Sequence, residues 1–133
     1  GAAREDQVER GGTGDQGKGC DHCGPVGTWM VTAYEVADPQ KLAMWLDVNG
    51  QRRQNGTTGT MIFGVAELVA YVSRFMTLYP GDLITTGTPP GVAMGMKPTP
   101  QYLKAGDEMK LGIAGLGEQK QKVYAWDPKL IDE

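Results

Sequence analysis

The stretch Leu42-Ala43-Met44-Trp45-Leu46-Asp47-Val48-Asn49-Gly50-Gln51-Arg52-Arg53-Gln54-Asn55-Gly56-Thr57-Thr58 decides the fold class. Leu42, Met44, Leu46 and Val48 fall at every second position, which predicts a strand with one apolar face. Asn49-Gly50 then supplies a strong short hairpin signal, because both residues tolerate the positive φ that a type I′ turn requires. The chain is expected to return over 51–58 as a second strand, polar and exposed on one side.

Downstream of this hairpin the period changes from two to that of a helix. Val65, Leu68, Val69, Val72, Phe75 and Met76 recur at helical spacing and predict a helix over about 64–78, its apolar stripe serving as core. Gly64 stands at the N-cap position with Glu67 three residues on, a capping box weakened by glycine's lack of a side-chain oxygen. Phe63 and Leu68 are spaced for a hydrophobic staple, and Pro80-Gly81 stops the helix. Leu83–Thr86 reads as a short strand that leads into Gly87-Thr88-Pro89-Pro90-Gly91, a run rich in turn formers. Glu108–Ile113 reads as a further strand, turned by Gly115 and Gly117 into a last one over 118–125. Upstream, VGTWMVTA (26–33) is rich in β-branched and aromatic residues and reads as a strand, closed by the Asp38-Pro39 turn. Strands, one helix and strands again give an α+β fold dominated by antiparallel sheet. The expected organisation is a glycine-rich irregular segment over 1–25, a β-rich domain over 26–126 and a tail over 127–133.

Composition narrows the function classes. Hydrophobic residues make up 40% and charged residues 22% of 133 residues, ordinary for a globular chain. The net charge of −3 argues against a nucleic-acid surface, which needs clustered Lys and Arg. No apolar run reaches the ~20 residues of a membrane span, and no signal-peptide pattern opens the chain, so the simplest compartment is the cytoplasm. Twenty glycines and eight prolines imply many tight turns. The two cysteines, Cys20 and Cys23, enclose His22. A structural zinc site takes about four N/S ligands, and no further Cys or His exists in the chain, so these read as loop positions.

Three segments in order resemble the fumarylacetoacetate hydrolase family: Lys18-Gly19-Cys20-Asp21 with Gly24-Pro25-Val26-Gly27-Thr28-Trp29; Asp47-Val48-Asn49-Gly50 through Gln54 with Met61-Ile62-Phe63; and Pro80-Gly81-Asp82-Leu83-Ile84 with Thr86-Gly87-Thr88-Pro89-Pro90-Gly91-Val92. Lys104-Ala105-Gly106-Asp107 also fits. Within the family, Arg4-Glu5 to Gly12 is most similar to bacterial members acting on sugar-derived 2,4-diketo acids. The resemblance implies part of a β-roll, a homodimer, a small anionic dicarbonyl substrate, and a bound Mg²⁺ (or Mn²⁺ or Ca²⁺). Such a hard cation would chelate the substrate's 2-oxo-carboxylate and draw electrons from it during C–C bond hydrolysis.

The family's metal ligands are a Glu-x-Glu pair and an Asp in a passage whose Arg matches Arg4. These carboxylates are expected before Gly1, and neither Asp6 nor Asp15 takes their place, so no metal ligand is assigned here. Lys18 matches the family's active-site lysine. Thr88, with Gly87 before it, matches the turn that contacts the substrate carboxylate, and Asp21 is expected to organise the loop near the site. Two functions follow as alternatives: the C-terminal part of a hydrolase of 2,4-diketo acids, or a non-catalytic module that keeps the fold for binding or dimerisation.

Overall fold

The structure, a computed structural model, describes residues 24–27, 29–125 and 127. The hairpin forms where the alternation and the turn residues place it. β1 (Ala43–Val48) and β2 (Gln51–Thr57) pair antiparallel around Asn49 and Gly50, which take φ values of 50° and 77°. The other edge of β1 receives β3 (Glu108–Ile113), which in turn pairs with β4 (Gly117–Lys122). The sheet is fully antiparallel, with spatial order β2-β1-β3-β4. Asn49 ties the hairpin tip to the start of β3. Its backbone N–H donates to the Glu108 carbonyl at 2.8 Å, its Nδ2 donates to Asp107 Oδ1 at 2.9 Å, and its Oδ1 accepts from the Glu108 N–H at 2.9 Å.

Register separates the faces. Met44 lies opposite Ile113, Leu46 opposite Leu111 and Val48 opposite Met109, so these six apolar side chains share one face. Met109 is its most buried member. The other face is charged and amphipathic. Trp45 carries the Arg52 guanidinium 4.7 Å and the Lys110 ammonium 5.4 Å from its ring centroid, cation–π geometry. Lys110 and Lys120 lie directly opposite one another, and diagonal ion pairs, Lys110 to Glu118 at 2.7 Å and Lys120 to Glu108 at 3.4 Å, offset that repulsion.

One irregularity breaks the ladder. Leu46 pairs with Gln54 while Asp47 pairs with Arg52, which leaves Arg53 as the extra residue of a β-bulge. Because side chains alternate faces, that single insertion decides the direction of every residue after it. Gln54 and Gly56 fall on the apolar face with Leu46 and Met44, rather than on the face of Trp45.

The helix α1 (Val65–Val72) begins at the expected residue. Gly64 has no side chain to cap it, and Gln40 performs that task from another segment. Gln40 Oε1 accepts from the Val65 N–H at 2.8 Å, while its Nε2 donates to the Thr58 carbonyl at 3.0 Å. The predicted extension to 78 does not form. Ser73 ends the regular helix, and tighter bonds from Arg74 N–H to the Tyr71 carbonyl and from Phe75 N–H to the Val72 carbonyl follow it. Tyr79-Pro80-Gly81-Asp82 then turns the chain, with Gly81 at φ 100°, the Asp82 N–H bonded to the Tyr79 carbonyl and the Tyr79 N–H to Asp82 Oδ2.

Four further expectations are corrected. The segment 26–33 is not a strand in its described residues: Trp29 and Met30 are exposed, and Thr32 turns against Glu35, whose Oε2 takes both the Thr32 N–H and its hydroxyl. Leu83–Thr86 is likewise irregular. Both segments have β-forming composition, yet neither meets a partner strand among the described residues, and a strand without a ladder gains little. The helix stripe is not core here, since Val65, Leu68 and Val72 are half-buried and Val69, Phe75 and Met76 exposed. The last strand ends at Lys122 rather than continuing to 125.

Candidate functional site

The turn over 87–91 is laid on the apolar face of the sheet at β2. Its backbone requires glycine at both ends, with Gly87 at φ 94° and Gly91 at φ 111°. Gly91 approaches the bulge itself: a Cβ there would lie 2.2 Å from the carbonyl oxygen of Arg53. Beside it, the Pro89 ring covers Gly56, where a Cβ would come within 2.8 Å of the Pro89 Cβ. Two glycines on opposite sides of the contact thus let a proline-rich turn and a strand meet without side chains between them.

Gln54 fastens the turn. It is the one buried polar side chain among the described residues, 9% exposed, and its Nε2 donates both to Thr88 Oγ1 at 2.9 Å and to the Pro89 carbonyl at 2.8 Å. Thr88 itself is exposed, and its hydroxyl is held from the sheet side by Gln54. Nearby on β2, the Arg53 Nη2 donates to Gln101 Oε1 at 3.1 Å, which tethers the loop after the turn.

Of the predicted site residues, Gly87 and Thr88 are therefore placed together at a built turn. Lys18 and Asp21 lie outside the described residues, as do Cys20, His22 and Cys23. In the sequence Gln54 stands only at the end of a family motif with no role attached, and nothing there marks the Arg53 bulge. The usable signal was a glutamine two residues before Gly56 in a hairpin strand, but its facing depends on the bulge.

Several carboxylates of the described residues are engaged elsewhere. Asp47 pairs with Arg52, and Asp38 with Lys41 at 3.1 Å. The Lys104 N–H and then Asn49 Nδ2 hold the Asp107 carboxyl below its ordinary range, and the Gln40 N–H and then Lys41 do the same for Asp38. No group of three His, Cys, Asp or Glu among the described residues is arranged to hold a metal ion. These described residues do not fit the divalent cation that the resemblance implies.

With this geometry in view, comparison with known proteins is decisive at the level of family. The family profile described as Fumarylacetoacetate (FAA) hydrolase C-terminal matches residues 2–124, and the chain belongs to that family. A Burkholderia cenocepacia (strain HI2424) protein with a provisional hydrolase assignment is 63% identical over 119 residues, 90% of this chain and 42% of its own length. The chain thus spans about two-fifths of the length of the curated relatives it matches. Among solved structures, the fumarylacetoacetate hydrolase of Exiguobacterium antarcticum superposes with a TM-score of 0.88 at 41% identity, covering 94% of this chain and 44% of that one. The maleylpyruvate hydrolase of Sphingobium sp. SYK-6, in complex with manganese(II) ion and pyruvate, gives 0.67 at 38% identity, covering 75% and 35%. The α+β fold read from the sequence is the fold of this family. No helix among the described residues is long and apolar enough to cross a membrane.

Proposed function

We propose that this chain is the carboxylate-holding part of a hydrolase that cleaves small 2,4-diketo acids of the acylpyruvate type. The observation that carries this reading is the Gly87-Thr88 turn, pinned on the sheet by Gln54 with the Thr88 hydroxyl left open to a ligand. A hydroxyl held in that way suits one oxygen of a small carboxylate, since charge-assisted hydrogen bonds are roughly twice as strong as neutral ones. Support also comes from a solved relative that holds pyruvate, the 2-oxo acid such a reaction releases. In the reaction, water adds to the distal carbonyl and the bond between C3 and C4 breaks. Its electron pair stays on the pyruvate fragment as an enolate, which takes up a proton, and the other product is a carboxylic acid. Lys18 and Asp21, outside the described residues, belong to the same proposal through the family resemblance alone. A divalent cation such as Mg²⁺ belongs to the same proposal, with ligands other than the described residues.

The proposal extends to assembly as a homodimer. Ile62, Phe63, Val69, Tyr71, Phe75 and Met76 all expose substantial apolar surface, with Tyr71 and Phe75 in edge contact at 5.0 Å. Exposed apolar side chains in this number support an interaction surface.

A chemical-shift titration of the isotope-labelled chain with pyruvate tests the carboxylate site. A saturable perturbation confined to 86–91 and Gln54 is expected, with no response to methyl pyruvate, which lacks the charge. Perturbations scattered over the sheet, or equal responses to acid and ester, would remove the basis for a carboxylate site at this turn and favour a non-catalytic scaffold.

A further inference from the structure

The amide of Gln54 has two possible orientations, and its surroundings choose between them. The Pro89 carbonyl oxygen can only accept a hydrogen bond, so the Gln54 atom 2.8 Å from it is the nitrogen. The same nitrogen lies 2.9 Å from Thr88 Oγ1. An amide nitrogen has no lone pair to offer, so Thr88 must accept there and cannot donate. A hydroxyl has a single proton. With one lone pair occupied from the sheet side, that proton is directed away from Gln54, toward the exposed side of the turn.

We infer that Gln54 is a positioning residue that commits the Thr88 hydroxyl to donating, and so selects an anionic or carbonyl oxygen over a donor group at this turn. The inference rests on the carboxylate-site reading above and adds the residue that gives the site its polarity. Gln54 suits that task because it is buried and has little freedom. Both of its amide hydrogens are engaged by groups of the turn, its side chain stands on the apolar face opposite Leu46, and the bulge at Arg53 aims it there. A buried amide that donates twice to one turn restrains the Thr88 rotamer before any ligand arrives, which lowers the ordering cost on binding. Gln54 does not touch the ligand in this arrangement. Its action passes through Thr88.

The test uses the 133-residue chain and pyruvate, with Gln54→Leu, Gln54→Glu and Thr88→Val as variants. Two measurements are made on each: the pyruvate Kd, and the three-bond couplings that report the Thr88 side-chain rotamer without ligand. In the parent chain a single rotamer is expected. In Gln54→Leu the couplings average and Kd rises about tenfold, the scale of one lost hydrogen bond to a charged acceptor. Gln54→Glu keeps length and bulk but, ionised at pH 8, takes the Thr88 proton for itself. It is expected to bind pyruvate more weakly than the parent chain, whereas a merely space-filling role for Gln54 would leave the Thr88 couplings of Gln54→Leu unaveraged.

The outcomes separate the two readings. Binding lost in Thr88→Val but unchanged in Gln54→Leu would overturn the positioning role and leave the carboxylate site standing. Failure of the parent chain to bind pyruvate would overturn the carboxylate site. The rotamer measurement then still decides for or against Gln54, because unaveraged couplings in Gln54→Leu reject its hold on Thr88.

Discussion

Trp45 of β1 lies flat against Gly112 of β3, so close that a Cβ on Gly112 would stand 3.1 Å from the indole Nε1, Cε2 and Cζ2 atoms. The indole is also bounded by the Arg52 guanidinium and the Lys110 ammonium. Glycine at 112 thus makes room for an aromatic side chain stacked under two cations, at the centre of the charged face.

Gly112→Ala is expected to destabilise the domain by about 1–3 kcal/mol, the usual consequence of overpacking a filled site. Urea unfolding followed by tryptophan fluorescence checks this. Gly95→Ala is the matched control, because a Cβ at Gly95 meets nothing within 4 Å and its φ is not positive. It should fall within about 0.5 kcal/mol of the parent. Equal effects from both substitutions would refute the Trp45 contact.

Gly91→Ala should be more severe than Gly112→Ala. Its φ of 111° is one that side chains rarely adopt, and the added Cβ meets the Arg53 carbonyl at 2.2 Å, backbone that cannot swing aside. The conformation alone costs about 1–3 kcal/mol. Chemical shifts of Gln54 and Thr88 should move with it, since the turn and the bulge are one contact. A Gly91→Ala protein with parental stability and unchanged Gln54 side-chain amide signals would show the turn to be seated otherwise.

The Asn49–Asp107 bond gives the fold an acid-sensitive point. Asp107 is held below its ordinary range in the folded chain, by the Lys104 N–H first and Asn49 second. A depressed folded value means stabilisation above the unfolded carboxylate range, near pH 3.9, that is progressively lost as pH falls through it and on to the folded value. Asp107→Asn is therefore expected to lower stability at pH 7 and to flatten its fall below pH 4. Parallel acid-unfolding curves for the two proteins would contradict this.

The chain is expected to self-associate in solution through the exposed apolar surface around Tyr71 and Phe75. Sedimentation velocity should show a dimer that Phe75→Asp shifts toward monomer. A parent chain monomeric over a wide concentration range would reject the assembly proposed here.

Local chemistry made much of this fold legible from the sequence. The period-two run before Asn49-Gly50 specifies β1, the turn and β2, and Glu108–Ile113 is a strand over the very residues expected. What the sequence left hidden depended on partners. VGTWMVTA and Leu83–Thr86 have strand composition without a strand beside them, and the helix ran short once Ser73 closed it. Of the candidate site, the Gly-Thr-Pro run is legible as a turn, but the glutamine that fastens it is not. An unbulged two-residue hairpin sets Trp45 opposite Gln54 and turns that glutamine onto the charged face. Only the extra residue at Arg53 reverses it, and local propensity does not announce a bulge.

The bulge also bears on how copies of this chain can meet. β2 is an outer strand of the sheet, and a straight outer strand is an open template for strand addition from another molecule. Here the template is interrupted at Arg53, whose carbonyl already faces Gly91. The opposite rim, β4, presents Glu118, Lys120 and Lys122. Both rims therefore discourage sheet extension and amyloid-like stacking.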